Sequence, residues 1–240
     1  MPDRKITSHL DNMRRDWDRR ARENARYFVA TGKEDWSEKE FYESGRTNFQ
    51  QYVLSDLENI CQDKDPREMT ALEIGCGAGR ITRALAEYFG QVYAVDISRE
   101  MVRRARRALR GHPNAHVVRN NGKDLTALRP RWWERGSRSR LPLFDFAFSY
   151  IVFQHIPSRA IIENYVREVN RMLRPGALFK FQVQGYESEE ILTEGTWVGV
   201  PFTETEAREM AGRCGFEMRY HFGAGTQYFM LWFFKTRELT

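Results

Sequence analysis

The sequence has few cysteines and no long apolar run. Its three cysteines, Cys61, Cys76 and Cys214, are far apart and odd in number, so neither a disulfide framework nor a zinc-binding spacing is present. This usage suits a reducing cytoplasm, where we expect the protein to act. No apolar run approaches the roughly 18 residues of a membrane-spanning helix. The first residues also lack the apolar core of a signal peptide.

Acidic residues are outnumbered, with 33 Asp and Glu against 38 Lys and Arg, which gives a net charge of +5. Part of the excess lies in residues 99–110, where apolar residues form one helical stripe and the arginines cover the outer face. That pattern favours a solvated helix face. A second cluster, residues 129–140, combines five arginines with two tryptophans. It could stack nucleic-acid bases, cap a sheet edge or make a subunit contact.

Three glycines at alternate positions are the most informative feature of the chain. An apolar segment, residues 71–74, runs into Gly75, Gly77 and Gly79, and a helical apolar pattern follows in residues 81–89. This order predicts a strand, a tight turn and a helix. The glycines let a ligand approach the backbone, and the helix N-terminus offers free N–H groups. Such turns lie at the carboxyl end of a strand, where open α/β sheets bind nucleotides.

The spacing of the glycines disfavours a dinucleotide ligand. A dinucleotide fingerprint that starts at Gly75 and Gly77 needs its third glycine at position 80, which is Arg80. Glu73 precedes the loop, where its charge would repel a pyrophosphate but not a cationic amino-acid ligand. Oxidoreduction with NAD is therefore the weaker alternative.

An acidic residue follows the loop at the distance expected for a ribose contact. Residues 91–96 alternate apolar positions and end in Asp96, which lies 21 residues after Gly75. At the end of the second strand of a Rossmann-like sheet, such a side chain can accept hydrogen bonds from both ribose hydroxyls.

Together, these segments resemble the class I S-adenosylmethionine (SAM) dependent methyltransferases, of the methyltransferase type 11/12 kind. The resemblance rests on five segments in the family's order and covers roughly residues 50–236. They are the E-x-G-x-G-x-G run Glu73–Gly79, the strand that ends in Asp96, the run Asn120–Leu125, the run Phe144–Pro157, and the helix and strand Val169–Val183.

This resemblance implies a fold and a cofactor. The fold is a seven-stranded, mostly parallel Rossmann-like α/β sheet of order 3-2-1-4-5-7-6 with its last strand antiparallel, in a domain of residues 61–240. The cofactor is SAM, with S-adenosylhomocysteine as product. The family's pattern has an acid where Asn121 stands, and an amide can still bond the adenine edge. The residues expected to bind SAM are Glu73, Gly75, Cys76, Gly77, Gly79, Arg80, Asp96, Ile97, Met101, Asn121, Gly122, Lys123, Ser149 and Tyr150.

Residues 1–60 predict a helical appendage of the kind that forms a lid over the cofactor in many members of this class. Apolar residues near helical spacing from position 10 to position 28 predict an amphipathic helix of about 20 residues. A second short helix, a turn, and a third helix from about Thr47 to Cys61 follow. Arg46 is expected to pair with the SAM carboxylate. The candidates for lining the substrate cavity are Tyr27, Trp36, Phe41 and Tyr42.

The methyl acceptor is expected near the segment that follows the fourth strand. There, Gln154 is a candidate substrate contact and His155 a candidate general base. The alternative for His155 is a hydrogen bond to backbone at the turn. Tyr186 and Trp197 are expected in the far wall of a mostly apolar pocket. No acidic cluster stands beside Asp145, so no metal is expected.

Three functions are compatible with these residues. The leading one is methyl transfer from SAM to an oxygen, nitrogen or carbon atom of a small molecule. The second is methylation of RNA or protein, for which segment 129–140 is the support. The third is a non-catalytic domain that binds SAM or its product. The chain lacks an Asn-Pro-Pro-Tyr run, and no cysteine stands at the end of the fourth or fifth strand, which disfavours the corresponding amino- and 5-methylcytosine-forming mechanisms.

Overall fold

A computed structural model describes residues 2–128, 143–186 and 196–236, with the side chains of residues 2–7 left aside. The arginine- and tryptophan-rich segment 129–140 lies outside the described residues. The helices are α1 (Pro2–Val29), α2 (Glu38–Tyr52), α3 (Leu57–Cys61), α4 (Arg80–Tyr88), α5 (Arg99–Ala108), α6 (Arg159–Met172) and α7 (Glu204–Arg213). The strands are β1 (Thr70–Ile74), β2 (Gln91–Asp96), β3 (Ala115–Arg119), β4 (Phe144–Ser149), β5 (Leu173–Val183), β6 (Phe216–Phe222) and β7 (Phe229–Lys235).

The seven strands follow the order β3-β2-β1-β4-β5-β7-β6. Strand β2 pairs in parallel with β1 and β3, and β4 pairs in parallel with β5. Strand β7 runs antiparallel to both β5 and β6. The predicted order and the antiparallel last strand are therefore confirmed.

The chain divides into two compact units. The N-terminal unit comprises residues 14–119, and the C-terminal unit comprises residues 120–240 together with residues 1–13. In the N-terminal unit, four of the five residues of β1 and three of the six residues of β2 are buried, as expected for parallel strands inside a sheet. Helix α5 buries Met101, Val102 and Ala105 while its arginines stay on the outer face, which confirms the predicted amphipathic helix.

The core of the C-terminal unit is aromatic. Every residue of β4 is buried, and Phe146 and Phe148 stack with ring centroids 6.0 Å apart. Phe153, Phe179 and Phe181 add edge and stacked contacts from the turn after β4 and from β5. Such ring pairs stabilise a core beyond the area they bury. This core fixes the turn after β4, where several of the predicted site residues lie.

The N-terminal helices differ in their limits from the sequence prediction. Helix α1 is 28 residues long and contains one non-helical residue, Asn24. The predicted turn near Gly45 and the third helix from Thr47 are wrong, because α2 continues through Gly45 to Tyr52. A capping box of Ser37 and Glu40 starts this helix. Two short helical segments, Leu54–Asp56 and α3, follow it.

A helix must be long and apolar to cross a membrane, and within the described ranges no helix meets both conditions.

Candidate functional site

The glycine loop joins β1 to α4. Gly75, Gly77 and Gly79 have φ angles of 76°, 52° and 86°, which L residues with side chains rarely adopt. The N–H groups of Gly75 and Cys76 donate to the carbonyl of Val95, at 2.7 and 3.0 Å, and thereby fix the loop on β2. The three positions thus need glycine for backbone conformation as well as for close approach.

Asp96 lies beside this loop at the end of β2. Its Oδ2 accepts the N–H of Gly77 at 2.9 Å, and its Oδ1 accepts the N–H of Ser98 at 2.8 Å. Burial raises the pKa of Asp96 to about 6. Since each carboxylate oxygen has two acceptor sites, the group can still accept a further donor such as a ribose hydroxyl.

Glu73, just before the loop, and Cys76, within it, are both buried. The hydroxyl of Thr82 donates to Glu73 at 2.6 Å, which ties β1 to α4, and burial raises the pKa of Glu73 to about 7. The carboxyl is therefore only partly charged at neutral pH, which weakens the predicted repulsion of a pyrophosphate. Burial also raises the pKa of the Cys76 thiol well above its usual value, so this thiol is unreactive. Cys76 packs against Ala94 and Ala105.

The two arginines predicted to face SAM contact other parts of the N-terminal unit. The buried guanidinium of Arg80 donates through Nη1 to Asn48 Oδ1 at 2.6 Å and to Ser44 Oγ at 3.2 Å, which anchors α2 on α4. Arg46 Nη2 lies 2.8 Å from the carboxylate of Glu87. Glu87 stands near the C-terminal end of α4, roughly 10 Å along the helix from the glycine loop.

These side chains line a cavity of about 360 Å³ between α2 and α4, and no glycine of the loop is among its lining residues. Its lining residues are Glu38, Lys39, Tyr42, Glu43, Arg46, Arg80, Arg83, Ala84 and Glu87.

Aromatic and small residues of α1 and α2 pack directly on the glycine loop. Phe41 is fully buried in a cluster with Ala21, Ala25, Ala78 and Met101. The other predicted lining residues lie around this cluster. Trp36 donates to the carbonyl of Ala30 at 2.7 Å, Tyr42 reaches the carbonyl of Ala78 at 3.5 Å, and Tyr27 contacts Phe28 edge to face.

Val29 of α1 lies against Gly77 of the loop. A Cβ built on Gly77 would come within 2.9 Å of a methyl group of Val29. Met101 belongs to the buried cluster, and Ile97 is partly buried, with its carbonyl accepting from Arg119 Nε at 3.2 Å. The structure therefore brings the loop, Asp96, Met101 and the aromatic residues of α2 together in one unit.

The segment after β3 belongs to the C-terminal unit. Asn121 Oδ1 accepts the N–H groups of Lys123 and Asp124, at 2.8 and 2.9 Å, and its amide donates to Asp124 Oδ1 at 2.9 Å. The side chain of Asn121 therefore shapes its own turn, in which Gly122 has a φ of 79°. The carbonyl of Lys123 accepts from Asn164 at 2.7 Å.

The turn after β4 is held by a buried network of amide groups. Gln182 on β5 is fully buried, and its Oε1 accepts the N–H of Ile151 at 3.0 Å. Its Nε2 donates to Gln154 Oε1 and to the carbonyl of Gln227. Ile151 has a φ of 55°, an unusual conformation for a β-branched residue. Ser149, just before it, is buried.

His155 lies at the end of this network. Its Nδ1 bonds the carbonyl of Trp197, and its Nε2 lies 3.3 Å from Gln154 Nε2. The rings of His155 and Trp197 are 5.0 Å apart. Tyr150 stacks on Phe148 at 6.4 Å.

The three residues predicted to contact the substrate near the methyl acceptor differ in exposure. Gln154 is buried, whereas Trp197 and Tyr186 are 37% and 39% exposed. Within the described ranges, no cluster of three or more His, Cys, Asp or Glu residues could hold a metal ion.

Several residues of these arrangements were absent from the sequence prediction, Gln182 and Ser98 among them. Gln182 carries a signal, since it is a polar residue within the apolar run of β5. Ser98 carries one too, since a serine before an apolar-periodic helix is a typical N-cap.

The glycine loop, Asp96 and the strand order agree with a sequence model of the family described as "Methyltransferase domain", which matches residues 72–179. The strands therefore form the Rossmann-like fold of class I methyltransferases, and residues 72–179 resemble a methyltransferase domain. Solved structures with this fold contain bound S-adenosylmethionine or S-adenosylhomocysteine.

One curated relative and two solved structures define the similarity further. A tRNA/tmRNA (uracil-C(5))-methyltransferase from Campylobacter hominis is 29% identical over 123 residues, which are 51% of this chain and 32% of the relative. The chain thus matches about a third of that relative's length.

The two structures share the fold. Magnesium protoporphyrin IX methyltransferase from Synechocystis PCC 6803 with bound SAM is 14% identical with a TM-score of 0.64, covering 95% of this chain and 97% of that one. Phosphoethanolamine N-methyltransferase 1 from Haemonchus contortus is 13% identical with a TM-score of 0.68, covering 96% of this chain and 50% of that one.

Proposed function

We propose that the protein transfers a methyl group from SAM to an oxygen, nitrogen or carbon atom of a small molecule. The observation that carries this proposal is the contact of α1 and α2 with the glycine loop, at Val29, Phe41 and Ala78. Helices packed on the loop enclose the cofactor and exclude water, which suits an in-line transfer to an acceptor small enough to be enclosed. In this proposal, residues 1–60 act as the lid.

The residues at the loop fit SAM. The positive-φ glycines leave the backbone open to close approach, and Asp96 keeps acceptor sites for ribose hydroxyls. When bound, SAM supplies an electrophilic methyl group on a sulfonium. The chain's own part is to hold the cofactor, align the acceptor and keep water out.

We assign His155 a positioning role. Because Trp197 offers a carbonyl, Nδ1 carries the proton of the neutral ring, and Nε2 then accepts from the amide of Gln154. Both ring nitrogens are thus engaged within the buried network. A direct role as base would require Gln154 to leave Nε2.

The solved relatives named for small acceptors, magnesium protoporphyrin IX and phosphoethanolamine, support the small-molecule proposal. Methylation of RNA is the second candidate, supported by the match to the tRNA/tmRNA enzyme. Carbon 5 of uracil becomes nucleophilic after a thiolate adds to the ring, and all three cysteines here are buried with raised thiol pKa values. This chemistry of the cysteines disfavours that particular reaction.

The test is transfer of labelled methyl from SAM into cell extract that is then separated into small-molecule, protein and RNA fractions. We expect label in the small-molecule fraction with the wild type and none with Asp96→Ala, which removes the proposed ribose contact. Label in RNA would instead favour RNA as the acceptor and segment 129–140 as a substrate contact. Absence of label despite SAM binding would contradict catalysis on any acceptor in the extract.

A further inference from the structure

Asp18, a residue of α1, reaches the first turn of α5. Its Oδ1 accepts the hydroxyl of Ser98 at 2.6 Å and the N–H of Glu100 at 3.1 Å. A carboxylate that bonds the first turn of a helix is favoured by both the free N–H groups and the helix dipole. Eighty residues of sequence separate Asp18 from Ser98, so this contact is tertiary.

Ser98 links Asp18 to the proposed ribose contact. It is fully buried, its N–H donates to Asp96 Oδ1 at 2.8 Å, and its hydroxyl donates to Asp18. The same hydroxyl accepts the N–H of Met101 at 3.1 Å as the N-cap of α5. One serine therefore holds the carboxylate of Asp96 and the carboxylate of α1 at the same time.

Beyond Asp18, α1 continues over the glycine loop. Ala21 and Ala25 pack on Ala78 and Met101, and Val29 abuts Gly77. Displacement of α1 on both sides of Asn24 would thus remove the hydrogen bonds of Asp18 and uncover the loop.

We propose that Asp18 is a positioning residue for the cofactor site, which acts through Ser98 on Asp96 so that docking of α1 and binding of SAM stabilise each other. The inference rests on the proposed role of Asp96 in holding the ribose. Linkage between two equilibria is reciprocal, so SAM must hold α1 down as strongly as docked α1 retains SAM.

The first test uses the wild-type protein. Helix α1 contains trypsin sites at Arg15, Arg19 and Arg22. We expect saturating SAM to slow cleavage at these sites about tenfold, since cleavage requires the helix to leave its place. Cleavage at an unchanged rate, with SAM binding verified in the same sample, would overturn the proposal.

The second test measures the rate at which labelled SAM leaves the protein. We expect release to be roughly tenfold faster from Asp18→Ala and close to the wild-type rate from Asp18→Asn, which keeps an acceptor oxygen. Glu23→Ala is the matched control, because Glu23 is an exposed acid of the same helix whose ion pair with Arg19 is 3.8 Å long. Equal release from Asp18→Ala and the wild type, or equal acceleration by Glu23→Ala, would contradict the inference.

The outcomes separate this inference from the proposed function. A wild-type protein that does not bind SAM contradicts the proposed function. A wild type that binds SAM and an Asp18→Ala variant that releases it normally contradict the role of Asp18 alone. If Asp18→Ala does not fold, the tryptic test on the wild type decides.

Discussion

At the scale of single residues, Asp96 links the cofactor site to pH. The group accepts ribose hydroxyls best when ionised, and its pKa in the SAM-free protein is about 6. We therefore expect SAM affinity to be constant above pH 7 and to fall as the pH drops through 6, by at most about tenfold per pH unit. Calorimetric titrations at pH 5, 6 and 7.5 measure this directly.

Asp96→Asn supplies the control for this pH dependence. It keeps one acceptor oxygen at position 96 and has no proton to gain, so its weaker binding should lack the step near pH 6. A step of equal size in the variant would mean that another group, such as a histidine, is responsible.

At the scale of elements, the pair α2 and α4 depends on a glycine. Gly45 faces the backbone of Arg80 so closely that a Cβ would overlap its carbonyl group. We expect Gly45→Ala to lower the free energy of unfolding by about 2–3 kcal/mol, since the carbonyl group that the new methyl meets is backbone and cannot turn aside. Urea unfolding gives the value.

At another helical glycine, replacement by alanine is expected to raise the free energy of unfolding. Gly212 lies in α7 with nothing within 4 Å of a built Cβ, so Gly212→Ala should stabilise by about 0.5–1 kcal/mol. Similar effects of the two variants would show that helix propensity, and not the contact with Arg80, sets the cost at position 45.

A second element-scale prediction concerns the turn after β4. Gln182→Leu leaves the N–H of Ile151 and the oxygen of Gln154 without this partner, and we expect it to cost about 2–4 kcal/mol of unfolding free energy. Ile151→Gly removes the cost of a positive φ in a β-branched residue, so it should be near neutral. In a double-mutant cycle, Gln182→Leu should cost less in the glycine background.

Purely additive effects of Gln182→Leu and Ile151→Gly would mean that Gln182 does not stabilise the strained backbone of Ile151.

Local patterns were sufficient to predict the strands and the glycine loop. The parallel strands β1 and β2 are marked by continuous or alternating apolar runs, and the loop needs glycine wherever φ is positive. The course of α2 was not predictable in this way, because Gly45 indicates a turn when no neighbouring helix is known. The partners of Arg46, Arg80 and Asn121 were equally hidden, since a long or amide side chain has several candidate partners until the tertiary contacts select one.

At the scale of the whole molecule, the buried Glu73 makes stability depend on pH. Its pKa in the folded protein is about 7, above the ordinary value of 4.5, so the folded state holds a proton that the unfolded state has lost. Stability from this group is therefore present below pH 4.5 and is lost as the pH rises to about 7. Glu73→Gln keeps the shape without the ionisation.

We expect the unfolding free energy of Glu73→Gln, relative to that of the wild type, to rise by on the order of 1–3 kcal/mol from pH 4.5 to pH 8. Urea unfolding of both proteins at the two pH values measures this difference. A difference between the two proteins that stays the same at both pH values would contradict the raised pKa of Glu73.

The contact of Gly45 with Arg80 also decides where the chain tolerates recombination. Helix α2 is fitted to the backbone of α4 at Gly45 and is also tied to it by the Arg80 side chain, whereas α1 is attached through side chains such as Asp18 and Val29. A chimera that takes a homologous N-terminus should therefore join between Val29 and the cap residue Ser37. A crossover inside α2 would separate position 45 from the helix surface to which it is fitted. In the descent of such proteins, α2 must therefore change together with α4, while α1 is constrained at its few contacts, such as those of Asp18 and Val29.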